Sequence, residues 1–108
     1  MPPKTKFPAQ SIRSLQQYIK QRIKRRGFAD EDLSERLLLL TEEVGEIIKA
    51  SRHLSHMNVA AANQNNIGAE LVDALDYLFG IAIYLDIDLE AEFIAKEKII
   101  DQRKYQRA

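Results

Sequence analysis

At 108 residues the chain has room for one domain and one core, since a chain of this size buries roughly 65% of the surface its unfolded form exposes. Its 16 Lys and Arg balance 16 Asp and Glu, so no positive field marks a nucleic-acid-coating protein and no nucleic-acid partner is expected. Cysteine is absent, which excludes disulfides, thiolate zinc sites and thiol nucleophiles. No apolar run approaches the roughly 20 residues of a membrane span, and no signal-peptide core opens the chain, so a cytoplasmic protein with no membrane partner is expected.

All three prolines fall in the first eight residues, and segment 1–10 reads as an extended or disordered lead-in. Ser11 is a suitable N-cap for a first helix running to Arg26, with Gly27 as its stop. The end of that helix, Lys20 to Arg26, holds five basic residues. They serve either as a solvated face complementing the helix dipole or as a phosphate-attracting patch at the mouth of a site.

The turn Gly27-Phe28-Ala29-Asp30-Glu31 leads to a second helix, Asp32 to Ser55. Leu33, Leu37, Leu40, Val44 and Ile48 recur at three- and four-residue spacing and predict its core stripe. Glu43 and Glu46 fall on the flank of that stripe, and Glu42 points further round. From His56 to Asn66 the chain turns small and polar, which predicts a loop with at most one helical turn. A third helix follows over Ile67 to Leu85, with Leu71, Leu75, Leu78 and Ala82 as core and Glu70, Asp73, Tyr77 and Tyr84 as a second stripe. Asp86-Ile87-Asp88 reads as a turn, and Asp88 can cap a fourth helix running from Leu89 to Tyr105. The prediction is an all-α, four-helix domain, with helices two and three as antiparallel neighbours.

Glu43 with Glu46, and Glu70 with Asp73, each stand three apart, so each pair shares one helix face. Like charges at that spacing repel. Converging carboxylates suit hard divalent ions, Mg²⁺ first and Mn²⁺ or Ca²⁺ as alternatives. Such ions neutralise phosphate, orient it and acidify a bound water, the requirements of phosphoanhydride hydrolysis. Glu42 is the candidate for holding that water, as a catalytic residue, or is a solvated acid. A plainer alternative pairs Glu46 with Lys49, and Glu42 with Lys49 or Lys20, on an exposed face. Rival motifs fail. No Gly-x-x-x-x-Gly-Lys loop is present. The Glu42-Glu43-Val44-Gly45 run lacks the Arg-Glu of a Nudix box, having Leu38-Leu39 there instead. His53 and His56 lack the Glu three residues earlier that a di-iron bundle needs.

Leu-x-Glu-Glu-x-Gly-Glu on one helix, then Glu-x-x-Asp on the next, resembles the MazG-like all-α nucleoside triphosphate pyrophosphohydrolases. The 23 residues 47–69 separate the two halves of the motif, and the likeness extends over residues 11–105. The resemblance implies that Glu43, Glu46, Glu70 and Asp73 coordinate Mg²⁺. It also implies cleavage of an NTP or dNTP between the α- and β-phosphates, in nucleotide-pool cleaning, and a homodimeric or homotetrameric assembly. Tyr77 matches a position that often contacts the nucleotide, or is a half-buried core tyrosine, and Phe28 stands where relatives often carry an aromatic residue, either to stack on a base or to pack the turn between the first two helices. Relatives hold the triphosphate with Lys, Asn and Arg on the last helix. This chain offers Lys96, Lys98, Asp101, Gln102 and Arg103 there and no Asn, with Lys98 and Arg103 as the candidates, and it carries an extra acid, Asp76, one turn after Asp73. Phosphoribosyl-ATP pyrophosphohydrolase is an alternative with the same architecture, and a non-catalytic helical interaction protein is an alternative of another class.

Overall fold

The computed structural model describes residues 11–55 and 61–103, with the side chains of 53–55 and 61–66 left undescribed. The expected lead-in 1–10, the first part (56–60) of the expected loop 56–66 and the last residues of the expected fourth helix lie outside that range. Among the described residues there are four helices and no strand: α1 (Ile12–Arg25), α2 (Leu33–Ser55), α3 (Ala61–Tyr84) and α4 (Leu89–Gln102).

The caps are local chemistry. Ser11 accepts a hydrogen bond from the Ser14 amide at 3.0 Å, and Asp32 accepts one from the Glu35 amide at 2.8 Å, opening α2. Asp88 accepts from the Glu90 and Ala91 amides at the start of α4. α1 ends with Gly27 at φ +77°, the Gly27 amide donating to Lys24 O and the Phe28 amide to Ile23 O. α3 ends in the same double-bonded pattern, with the Asp86 amide on Ile83 O and the Ile87 amide on Ala82 O. There, however, Asp86 rather than a glycine takes the left-handed conformation, at φ +56°.

α3 begins six residues earlier than the expected Ile67. Ala61, Ala62 and Gln64 favour helix, and joined to the apolar stripe that starts at Ile67 they extend the element backwards through the asparagines. Polar composition alone suggested a loop there.

α2 and α3 make the most extensive contact, α1 packs on α3, and α4 packs on α1. α2 and α3 run antiparallel. Arg36, early in α2, meets Gly80, late in α3, while Glu43, further along α2, meets Glu70 and Asp73, further back along α3. The buried apolar residues are Ile19, Ala74, Phe79 and Ala82, where α1 covers α3. The predicted core stripes correct accordingly. Leu37, Val44 and Ile48 of α2, and Leu71, Leu75 and Leu78 of α3, are each 43–53% exposed. Only Ala82 of the α3 stripe is buried, because α1 covers one side of α3 and no described residue covers the rest of the stripe.

Candidate metal centre

Arg36 fixes the register in which the two acidic segments meet. Only 4% exposed, it donates to Glu31 O at 2.9 Å through Nε, to Gly80 O at 2.8 Å through Nη1 and to Phe28 O at 3.4 Å through Nη2. Its guanidinium also lies 5.3 Å from the centre of the Tyr84 ring, within cation–π range. A buried cation so bound is costly to misplace. Two turns further along α2, on the same face, stands Glu43.

Glu43, Glu70 and Asp73 each bring a carboxylate oxygen to within 4.8 Å of the others. Glu43 and Glu70 are half-buried and Asp73 is exposed. The Oε2 of Glu43 is buried without a hydrogen-bond partner. Burial of this carboxyl, then a hydrogen bond with Glu70, then the charges of Asp73, Glu70 and Glu46, raise its pKa above the ordinary 4.5. A buried, unpartnered carboxylate oxygen on Glu43, with two further carboxylates beside that residue, makes an all-oxygen donor set of the kind that fits a hard divalent ion. The plainer alternative of exposed ion pairs is not what the structure forms. Among the described residues none of Glu42, Glu43, Glu46, Glu70 and Asp73 is salt-bridged, and the pairs present are Arg13–Asp88, Arg13–Glu90 and Arg22–Asp76.

Three of the four expected ligands thus converge. Glu46 is exposed and stands outside the group, although its charge reaches Glu43. Glu42 is exposed and outside it as well. Tyr77 lines a cleft of about 340 Å³ together with Glu43 and Asp73. Burial first, and then the charges of Glu43, Glu31, Asp73 and Glu42, raise the Tyr77 pKa and keep its hydroxyl a neutral donor. Phe28 lines the same cleft, half its surface open to solvent, so its ring is available to a planar ligand. Lys98 and Arg103, exposed on or just beyond α4, do not line the cleft.

The cleft holds residues that the sequence reading did not place there. Arg36 and Gly80 line it. An arginine seven residues before Glu43, inside a leucine-rich run, was the available signal for Arg36. Arg22 of α1 and its C-cap residue Arg26 also line it. Arg22 Nη2 pairs with Asp76 Oδ1 at 3.1 Å.

The chain matches no protein-family model, no curated protein and no solved structure in the three comparisons made. The cleft's chemistry therefore rests on its own geometry. Carboxylates, arginines and two aromatic rings line one cleft.

Proposed function

We propose that this protein is a Mg²⁺-dependent pyrophosphohydrolase that cleaves an NTP or dNTP between the α- and β-phosphates, releasing a nucleoside monophosphate and pyrophosphate. The observation that carries this reading is the convergence of Glu43, Glu70 and Asp73 at a cleft that Glu43 and Asp73 line together with Tyr77 and Phe28. The MazG-like spacing of the same acids in the sequence supports it.

Glu43, Glu70 and Asp73 hold Mg²⁺, with Mn²⁺ as a substitute, and Glu46 contributes the charge that reaches Glu43. The ion would neutralise phosphate charge and acidify a bound water. Tyr77 donates its hydroxyl toward substrate, and Phe28 offers a stacking face to the base. Glu42 orients or deprotonates the attacking water.

We further propose a homodimer or homotetramer. Exposed leucines, valines and isoleucines repeat on α2 and α3, and Phe93, Ile94 and Ile99 do so on α4. Side chains of that size in such number are characteristic of an interface. No helix among the described residues is long and apolar enough to cross a membrane.

Product analysis over a panel of NTPs, dNTPs and phosphoribosyl-ATP, with and without Mg²⁺, tests the reading. Monophosphate plus pyrophosphate, formed only with the metal, is the expected result. Diphosphate plus orthophosphate, or no turnover of any substrate, rejects it.

A further inference from the structure

We infer that Arg22 and Arg26, on the last turn and C-cap of α1, grip the β- and γ-phosphates that leave as pyrophosphate. The inference deepens the hydrolase reading and rests on it. In the resemblance that suggested the activity, the last helix holds the triphosphate, but here α4 packs on α1 and neither Lys98 nor Arg103 lines the cleft. The cations that do line it are Arg22, Arg26 and Arg36. The donors of Arg36 are committed to the carbonyls of Phe28, Glu31 and Gly80, so that side chain is part of the frame.

The other two are differently placed. Arg26 makes no ion pair among the described residues and is exposed. Arg22 is four residues earlier, hence on the same helix face. It is tied through one Nη atom to Asp76, leaving the rest of its planar fork of donors for an anion. Asp76 stands one turn beyond Asp73 on α3, about 5 Å along the axis, and a triphosphate tail is long enough to reach from one to the other. The inner phosphates then lie by the acids and their ion, and the outer ones meet the guanidinium groups. Asp76 is a positioning residue. It holds Arg22 at the cleft edge, and the fork stays bound to it while the free donors take phosphate.

Titration of inorganic pyrophosphate in Mg²⁺ tests this on the full chain, alongside the hydrolysis assay. The variants are Arg26→Gln, Arg22→Gln, Arg22→Lys and the control Arg25→Gln. Arg25 is exposed, neighbours Arg26 and is not part of the cleft lining. Arg26→Gln and Arg22→Gln are expected to weaken pyrophosphate about tenfold or more each, the size of one lost charge-assisted contact. Arg22→Lys keeps a cation beside Asp76 and restores part of that loss, and a wild-type melting temperature in Arg22→Gln separates a phosphate role from a folding defect. Arg25→Gln leaves affinity at the wild-type level. Affinity unchanged in Arg26→Gln and Arg22→Gln overturns the clamp, as does an equal loss in Arg25→Gln, which would mark bulk charge only. Wild-type hydrolysis with no measurable pyrophosphate affinity also overturns the clamp and leaves the hydrolase reading standing. A wild-type chain that neither hydrolyses a triphosphate nor binds Mg²⁺-pyrophosphate overturns both.

Discussion

Two groups of carboxylates in this small molecule are treated in opposite ways. At the α1–α4 corner, Asp88 takes Arg13 Nε at 2.9 Å and two backbone amides, while Glu90 takes Arg13 Nη1 at 2.8 Å and the Arg13 amide. The Ala91 amide above all, and then Arg13, hold Asp88 below the usual carboxylate range, and the same contacts raise the Arg13 pKa. Along the α2–α3 seam, Glu43 meets two further acids and no cation, and its pKa is raised. The first group is stitching, complete within the chain. The second costs the fold stability as it stands.

Changing the seam acids should have the largest effect. Glu43→Gln or Asp73→Asn is expected to lower kcat/KM about a hundredfold or more, since ion-mediated stabilisation of several kcal/mol is removed. Without divalent ions the melting temperature of each variant should stay level or rise, because repulsion is relieved. Activity retained in both variants would dissolve the contrast between the two clusters. Next in size is the frame that aligns the seam. Arg36→Ala strands three carbonyl acceptors and removes the stack on Tyr84, and denaturant unfolding should show a loss of about 3 kcal/mol.

The pH dependence sharpens the contrast further. A carboxyl whose folded pKa is raised makes the folded state bind its proton more tightly than the unfolded state does. Glu43 therefore contributes stability below its ordinary 4.5 that is lost as pH climbs through the raised value. Melting curves without metal should fall over that interval, Mg²⁺ should flatten them, and Glu43→Gln should remove the slope. Asp88 has the opposite sign. Its lowered pKa gives stability that is present above the ordinary 3.8 and vanishes as pH falls through the folded value. Asp88→Ala should cost a few degrees at neutral pH and have no effect on activity. The smallest change is at Asp86. Its left-handed backbone suits glycine, so Asp86→Gly should raise stability by about 0.5–1 kcal/mol.

The features legible in the sequence were those set by local chemistry. Ser11, Gly27 and Asp88 mark helix ends because caps act over three or four residues, and the acid pairs are visible because helical spacing fixes their faces. The start of α3 was not legible, since asparagines interspersed with alanines read as a loop until the downstream stripe pulls them into helix. The exposure of Leu37, Val44 and Leu71 was not legible either. Periodicity shows that a stripe seeks burial but not whether its own chain supplies the cover. Arg36 was missed for a related reason, as its role depends on Gly80, 44 residues away. The departure of Glu46 from the other three acids lies below the resolution of helical spacing, which places both Glu43 and Glu46 beside the seam.

The central claim is that the seam acids await a divalent cation. The most direct measurement is the Mg²⁺-dependent shift in melting temperature of the wild type against Glu43→Gln at neutral pH. Mass action predicts about 2.7 kcal/mol of added stability at a hundredfold excess over Kd, so the wild type should melt several degrees higher with Mg²⁺ and the variant should shift little. A wild-type melting temperature indifferent to Mg²⁺ and Mn²⁺ would contradict the account.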